Sequence, residues 1–151
     1  MTRVLTPLLT ALLLATAPMA HAGPLAEAAA PVASMQEKVV YHVNDSANAS
    51  AALRNIKNHL AASPDVKIVV VTHSEGIDFL LSGATDKNGN PYEVAVQELK
   101  TKGVDFRVCN NTLKGRKINP GTVLAEATIV PSGVAEIGRL QAKEGYVYLK
   151  P

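Results

Sequence analysis

Residues 103–113 read GVDFRVCNNTL and contain the only cysteine of the chain, Cys109. Residues 104–108 alternate apolar and polar side chains in a run that predicts a short strand. Asn110, Asn111 and Thr112 follow directly, and these residue types favour turns and helix starts. Open α/β sheets bind their ligands at the carboxyl ends of strands. The segment therefore predicts a thiol at the mouth of a ligand crevice.

The first 22 residues predict a secretory signal peptide. Arg3 gives a positively charged start, residues 4–17 are mainly apolar, and residues 20–22 fit the A-x-A cleavage pattern. The apolar segment is short and interrupted, whereas a transmembrane helix needs about 20 residues. We therefore expect export to the periplasm with cleavage after Ala22, rather than an uncleaved anchor, and a mature protein free of the membrane. Residues 23–37 are expected to form a flexible leader.

Length and charge narrow the class of protein. The remaining residues, 38–151, are enough for one domain with a hydrophobic core. The chain has 15 Lys and Arg against 13 Asp and Glu, and this near balance argues against a nucleic-acid partner. One cysteine cannot form an internal disulfide, so its thiol is buried and inert, paired with another molecule, or reactive.

Strand and helix patterns alternate along residues 38–151, which predicts an α/β fold with a parallel sheet covered by helices on both faces. The expected strands are residues 38–44, 66–72, 104–109, 127–130 and 146–149. The expected helices are residues 47–62, 77–81, 90–102 and 132–144, with a loop over 112–122 that has room for a short helix. Residues 66–72, VKIVVVT, are nearly all β-branched, as is typical of a central strand.

Helix-end signals support two of these helices. Asn90 is expected to cap the third helix, with Pro91 at its first position. Ser132 is expected to cap the last helix and Gly145 to end it. Its buried side should carry three apolar residues: Val134, Ile137 and Leu140.

Three of the predicted strands end in polar residues that could carry chemistry. They are His42 and Asn44, then His73, Ser74 and Glu75, and finally Cys109, Asn110 and Asn111. Because parallel strands end at the same edge of a sheet, these residues are expected to converge. A protonated histidine or a helix start would lower the pKa of the thiol, and the thiolate is the reactive form. One thiol alone can carry sulfur as a persulfide or form a mixed disulfide.

The same residues also allow simpler interpretations and other chemistries than sulfur transfer by one thiol. Cys109 could be a packing residue, and the histidines could be ordinary polar residues at strand ends. His42, His73 and Cys109 are of the types that bind zinc or copper, but they lack a local ligand spacing, so no metal is expected. No phosphate-binding glycine pattern is present, and Ser74 does not lie in a G-x-S-x-G elbow. We therefore expect no cofactor.

Residues 38–151 resemble the DsrE family, in particular its exported members. The matching segments are KVVYHVND, ALRNIKNHL, KIVVVTHSEGIDFLL, GVDFRVCNNTL, IVPSGVAEIGRLQ and GYVYLKP. The resemblance implies a three-layer α/β/α domain with a five-stranded parallel sheet, as in YchN, and assembly into oligomers that are often hexameric. It also implies that Cys109 takes the place of the sulfur-carrying cysteine. Sulfur relays of this family work in the cytoplasm, whereas this chain is expected to be exported.

The leading hypothesis is a periplasmic, DsrE-like sulfur-handling protein. Cys109 would accept sulfane sulfur as a persulfide from a donor and pass it to a partner thiol. Asn110 and Asn111 would supply polar contacts, and His42 or His73 would favour the thiolate. The supporting set also includes Asn44 and Glu75. The alternative is a non-enzymatic homo-oligomer that binds a small ligand or a metal in the same crevice, and a thiol inert to alkylation would favour it.

Overall fold

The computed structural model describes residues 36–151. Its strands are β1 (Lys38–Val43), β2 (Lys67–Thr72), β3 (Asp105–Cys109), β4 (Ala127–Val130) and β5 (Val147–Leu149). Its α-helices are α1 (Ala49–Ala62), α2 (Tyr92–Thr101), α3 (Asn110–Gly115) and α4 (Gly133–Glu144). Short 3-10 helices span Ser46–Asn48, Ser74–Leu80 and Pro120–Thr122. The expected signal peptide, and the expected leader up to residue 35, lie outside the described residues.

The five strands form one parallel sheet in the order β4-β3-β2-β1-β5. The central strand is β2, and residues 68–72 of it are all buried. The prediction of a parallel sheet with a continuous β-branched strand at its centre is therefore confirmed. Helices cover both faces, which gives the three-layer α/β/α architecture. Within residues 36–151, no helix is both long enough and apolar enough to span a bilayer.

The two faces of the sheet bury different amounts of apolar side chain. Successive residues of a strand point to opposite faces, and β1 shows this division. Tyr41 and Val43 belong to the core that α1 and α2 cover, whereas Val40 belongs to the smaller core under α4. We call these the major core and the minor core. Cys109 is buried but belongs to neither cluster.

The expected ends of α4 are confirmed. The Ser132 hydroxyl accepts a hydrogen bond from the Ala135 N–H at 3.3 Å, and Gly145 ends the helix with φ at 73°. Val134 was wrongly expected to be buried, since 65% of its surface is exposed. Each step of three residues turns the helix about 60° short of a full rotation, so Val134 does not face the sheet with Leu140.

The expected start of α2 is wrong by one residue. The helix begins at Tyr92, and Pro91, which was expected to be its first residue, is extended. Asn90 therefore lies one residue before the cap position, and its side-chain amide donates to Asp86 Oδ2 at 3.1 Å. The Asp86 carboxylate also accepts from the Asn88 and Asn90 N–H groups. The turn therefore takes the polar side chain that the sequence pattern assigned to the helix.

A glycine lets the turn after β2 touch the end of β1. A Cβ on Gly76 would lie 2.1 Å from the Val43 carbonyl oxygen, so no larger residue fits without moving backbone. The His73 N–H donates to the same carbonyl at 3.3 Å. These backbone contacts fix the ends of β1 and β2 side by side at the carboxyl edge of the sheet.

Candidate functional site

Cys109 is the last residue of β3 and directly precedes α3. Only 4% of its surface is exposed. Burial raises the pKa of the thiol, but the neighbouring polar groups of Gly133, Thr112 and Asn111 outweigh it. The pKa of Cys109 is therefore below its ordinary value. These neighbours favour the thiolate over the thiol.

These neighbours come from the first turns of two helices. The Asn111 and Thr112 N–H groups lie in the opening turn of α3, where N–H groups lack partners within the helix. The Gly133 N–H belongs to the start of α4. A Cβ on Gly133 would lie 3.2 Å from Cys109 Cβ, 3.2 Å from His73 Cβ and 3.1 Å from the Thr72 oxygen. Glycine at this position therefore lets α4 approach the ends of β2 and β3 closely.

His42 and His73 form a hydrogen-bonded pair beside this sulfur site. Their Nε2 atoms lie 2.7 Å apart. His42 Nδ1 lies 2.6 Å from the Tyr148 hydroxyl, and His73 Nδ1 lies 3.0 Å from Ser74 Oγ. The result is a continuous chain of four side chains that runs along the carboxyl edge of the sheet.

Both histidines of the pair are held neutral near pH 7. Burial lowers the pKa of His42 to about 4, with further contributions from the charges of His73 and Lys150. Burial also lowers the pKa of His73, again with a contribution from Lys150. Each neutral ring carries one N–H, so one Nε2 donates and the other accepts. The neighbours that lower the pKa of Cys109 are backbone and hydroxyl groups, and an influence of either histidine on the thiol stays a prediction.

The other supporting residues lie at the same edge with different surroundings. Asn44 follows β1 and is partly exposed. Glu75 is exposed, and its charge acts on Arg116. Asn110 is the partly buried first residue of α3, and the Asn111 N–H donates to the Pro131 carbonyl at 3.3 Å. The convergence of the strand ends is therefore observed, whereas the roles of these four side chains stay predictions.

The sequence did not indicate a role for three contributors to the site. Gly133 and Thr112 are among the groups that lower the pKa of Cys109, and Tyr148 ends the histidine chain. Tyr148 reaches His42 because β5 pairs with β1, with Val40 opposite Tyr148, and sequence order gives no sign of that pairing. The expected cap at Ser132 indicated where α4 begins, but it did not indicate which residues the start of α4 contacts. Among residues 36–151, no three His, Cys, Asp or Glu side chains are grouped to hold a metal ion.

Residues 37–151 match the model of the DsrE/DsrF-like family. The match covers well over half of the chain, and the protein belongs to this family. Membership supports a function of the sulfur-relay type at the level of the family.

Two solved structures share the fold. The protein MTH1491 from Methanobacterium thermoautotrophicum, described as of unknown function, is 30% identical with a TM-score of 0.69 over 77% of this chain and 100% of that one. The ychN protein from E. coli is 15% identical with a TM-score of 0.63 over 78% of this chain and 100% of that one. The second similarity concerns the fold alone. No curated protein matches the chain.

Proposed function

We propose that this protein carries sulfane sulfur as a persulfide on Cys109. The observation that supports the proposal most directly is the position of Cys109 at the carboxyl end of β3, against the starts of α3 and α4, where neighbouring polar groups lower the pKa of its thiol. These groups favour a negative charge on sulfur, and the thiolate is the form that attacks another sulfur atom. Family membership supports the same class of chemistry. The chain has no second cysteine, so the chemistry is transfer by a single thiol.

The proposed transfer exchanges one sulfur–sulfur bond for another. The Cys109 thiolate attacks the outer sulfur of a donor persulfide, and a bond forms between the two sulfur atoms. The sulfur–sulfur bond within the donor breaks, and the donor leaves as a thiolate. No net oxidation occurs, so the step needs no cofactor. Delivery is the reverse step, in which an acceptor thiolate attacks the outer sulfur and Cys109 leaves as a thiolate.

The same polar groups assist both directions of transfer. A thiol with a lower pKa is present as more thiolate at neutral pH, and it is also a better leaving group. Because only 4% of Cys109 is exposed, the sulfur is reached by small donors more readily than by bulky ones. Low exposure also protects a persulfide from further oxidation. These properties suit a carrier that holds sulfur between its donor and its acceptor.

Loading with inorganic polysulfide tests the carrier role. Intact-mass spectrometry of the wild-type protein should show an addition of about one sulfur atom, ~32 Da, that dithiothreitol removes. Cys109→Ser should show no addition. Thr101→Val, which removes a hydroxyl bonded to the Glu98 carbonyl on α2, is the matched control and should load like the wild type. An unloaded wild-type protein whose thiol also resists iodoacetamide would instead favour a ligand-binding module at the same crevice.

We also propose that the protein acts in the periplasm after cleavage behind Ala22. The support is the arrangement of Arg3, the apolar residues 4–17 and the A-x-A pattern at residues 20–22. N-terminal sequencing of the exported protein should begin at Gly23. Recovery of the full-length chain in the membrane fraction would contradict the proposal.

Homo-oligomer formation is proposed from the edge of the sheet and from the family resemblance. Strand β5 is an edge strand, and it exposes 61% of Val147, 37% of Tyr148 and 38% of Leu149. An exposed apolar edge strand is a site for pairing with another chain. Light scattering at micromolar concentration should give a multiple of the monomer mass, with a hexamer among the expected states. A monomer throughout that range would contradict the proposal.

A further inference from the structure

A cleft lies at the carboxyl edge of the sheet, between the chain that follows β1 and the loop that leads into α2. Its volume is about 640 Å³, which is within the range of pockets that bind small molecules. Residues between 45 and 54 line it together with residues between 84 and 92. Asp78 and Phe79, from the 3-10 helix after β2, also line it. The cleft is therefore built from three separate segments of the chain.

This cleft is separate from the sulfur site. Val108 belongs to the major core, and successive residues of a strand point to opposite faces. Cys109 therefore points to the other face, where it meets Gly133 at the start of α4. In the cleft, by contrast, the rings of Phe79 and Tyr92 lie 5.8 Å apart and pack on the major core. The cleft and the thiol thus lie on opposite faces of the sheet.

Two cations and two carboxylates line the cleft, and the carboxylates already have partners. Asp78 Oδ1 accepts a hydrogen bond from Arg116 Nη1 at 2.6 Å. Asp45 Oδ1 accepts from the backbone N–H two residues further on, at 2.9 Å. Within residues 36–151, by contrast, Arg54 and Lys87 form no ion pair. The charge of the cleft that lacks a partner among these residues is therefore positive.

The carboxylate next to Lys87 in the chain does not change this balance. Asp86 accepts hydrogen bonds from the Asn88 and Asn90 N–H groups and from the Asn90 side chain. These contacts keep the carboxylate within its own turn, and Asp86 does not line the cleft. The positive charge of Lys87 is therefore left for a ligand to match.

Hydroxyl groups and small apolar side chains line the rest of the cleft. Ser50 Oγ lies 3.1 Å from the Tyr92 hydroxyl, and Ser46 and Thr85 add further hydroxyls. Three alanine side chains add a small apolar surface. A guanidinium such as that of Arg54 binds a carboxylate or a phosphate through two parallel N–H donors. This combination suits a small organic anion better than a cation or an apolar molecule.

We propose that this cleft binds a small organic anion, with a carboxylate or phosphate group held by Arg54 and Lys87. Arg54 contacts the anion from α1, and Lys87 contacts it from the loop before α2. The hydroxyls of Ser50 and Tyr92 are available to the polar groups of its body. The site is additional to the sulfur site and does not depend on the proposed carrier function.

Three four-carbon probes that differ in charge test the proposal: succinate, 4-aminobutyrate and putrescine. Calorimetric titration of the full-length protein should show binding of succinate, weaker binding of 4-aminobutyrate and no binding of putrescine. Glycerol 3-phosphate tests the phosphate group in the same way, and the tighter of the two anions identifies the preferred group. No binding of either anion at concentrations up to ~10 mM would overturn the proposal.

Charge-removing variants locate the binding. Arg54→Gln and Lys87→Gln should each weaken anion binding about tenfold, because a hydrogen bond to a charged group is lost. Both side chains are exposed, so the melting temperatures should stay within about 2 °C of the wild type. Lys57→Gln is the matched control, because Lys57 lies on the same helix as Arg54 but pairs with Glu98 at 3.0 Å. It should bind the anions like the wild type.

The remaining outcomes separate a specific site from a general effect of charge. Arg54→Glu combined with Lys87→Glu should reverse the preference, so that putrescine binds more tightly than succinate. Equal binding of these two probes by the wild type, or an equal loss in Lys57→Gln, would overturn the proposal. Cys109→Ser should bind the anions like the wild type, and lost binding there would contradict a separate cleft. A protein that never loads sulfur but binds succinate would end the carrier proposal and leave the cleft standing.

Discussion

The two faces of the sheet differ in what they contribute. Among the described residues, the major core under α1 and α2 contains twenty buried residues, whereas the minor core under α4 contains five. Cys109, His42 and His73 all lie at the carboxyl edge, next to the start of α4 or to the exposed β5. The comparison indicates that the folding free energy comes mainly from the major core. The smaller apolar core under α4 leaves room for polar groups near the thiol.

Replacing a large side chain of the major core should have the largest effect on stability. Phe106 is fully buried in that core. Phe106→Ala should cost about 3–5 kcal/mol of the free energy of unfolding, a fall of more than about 10 °C in melting temperature. The thiol pKa of the folded variant should remain at the wild-type value. Val94→Ala, at an exposed position of α2, is the control and should melt within about 2 °C of the wild type.

A role of the major core in stability alone would be contradicted if Phe106→Ala shifted the thiol pKa as strongly as Gly133→Ala. Thermal unfolding and the pH dependence of iodoacetamide alkylation, recorded on the same sample, decide this point. A melting temperature close to the wild type would contradict the assignment of most folding free energy to this face.

A substitution at Gly133, on the face of the sheet that α4 covers, should have a smaller effect on stability and a direct effect on the thiol pKa. Gly133→Ala places a Cβ 3.1–3.2 Å from Thr72, Cys109 and His73, so α4 or these neighbours must give by a few tenths of an ångström. We expect a loss of roughly 1–3 kcal/mol and a raised thiol pKa, because the Gly133 N–H moves away from sulfur.

Gly138→Ala on the same helix is the matched control for that change. A Cβ on Gly138 meets nothing within 4 Å, and alanine is the better helix former by about 1 kcal/mol. Gly138→Ala should therefore raise the melting temperature slightly and leave the thiol pKa unchanged. Gly133→Ala with a wild-type thiol pKa would show that the close approach of α4 does not matter to the sulfur.

The histidine pair should add a modest pH dependence to stability. The pKa of His42 is about 4 in the folded protein against an ordinary value of 6.5, so the unfolded chain binds the proton first. The contribution of neutral His42 to the free energy of unfolding is complete above pH 6.5 and is lost as the pH falls toward 4. The loss should stay below about 1.4 kcal/mol per pH unit, since solvent screens a partly exposed group.

His42→Gln tests this contribution, because glutamine keeps hydrogen-bonding capacity and does not titrate. Melting temperatures at pH 7.5 and pH 4.5 should differ less in this variant than in the wild type. Equal differences in the two proteins would show that the His42 pKa is not lowered in the folded state.

Local patterns predicted the elements of this fold well, because each is written in adjacent residues. The β-branched residues of β2 indicated a central strand, and Ser132 and Gly145 marked the ends of α4. The surroundings of the sulfur could not be predicted in the same way. They depend on how closely Gly133 approaches Cys109, and this contact joins residues far apart in the chain.

Local patterns alone also gave two wrong predictions, those for Asn90 and Val134. Asn90 has the residue type of a helix cap, but the turn at Asp86 binds its side chain first. Val134 has the spacing of a buried residue, but the rotation of α4 turns it to solvent. In both cases tertiary placement decided between two uses that the sequence pattern allowed.

The most direct test of the sulfur-carrier proposal is the mass of the protein as the cell makes it. The protein should be purified from its own cells without reductant, and the peptide that contains Cys109 examined by mass spectrometry. We predict a fraction that is heavier by about one sulfur atom, ~32 Da, and that returns to the free-thiol mass on reduction. A peptide that is always the free thiol, from cells with active sulfur metabolism, would contradict the proposal that Cys109 carries sulfur.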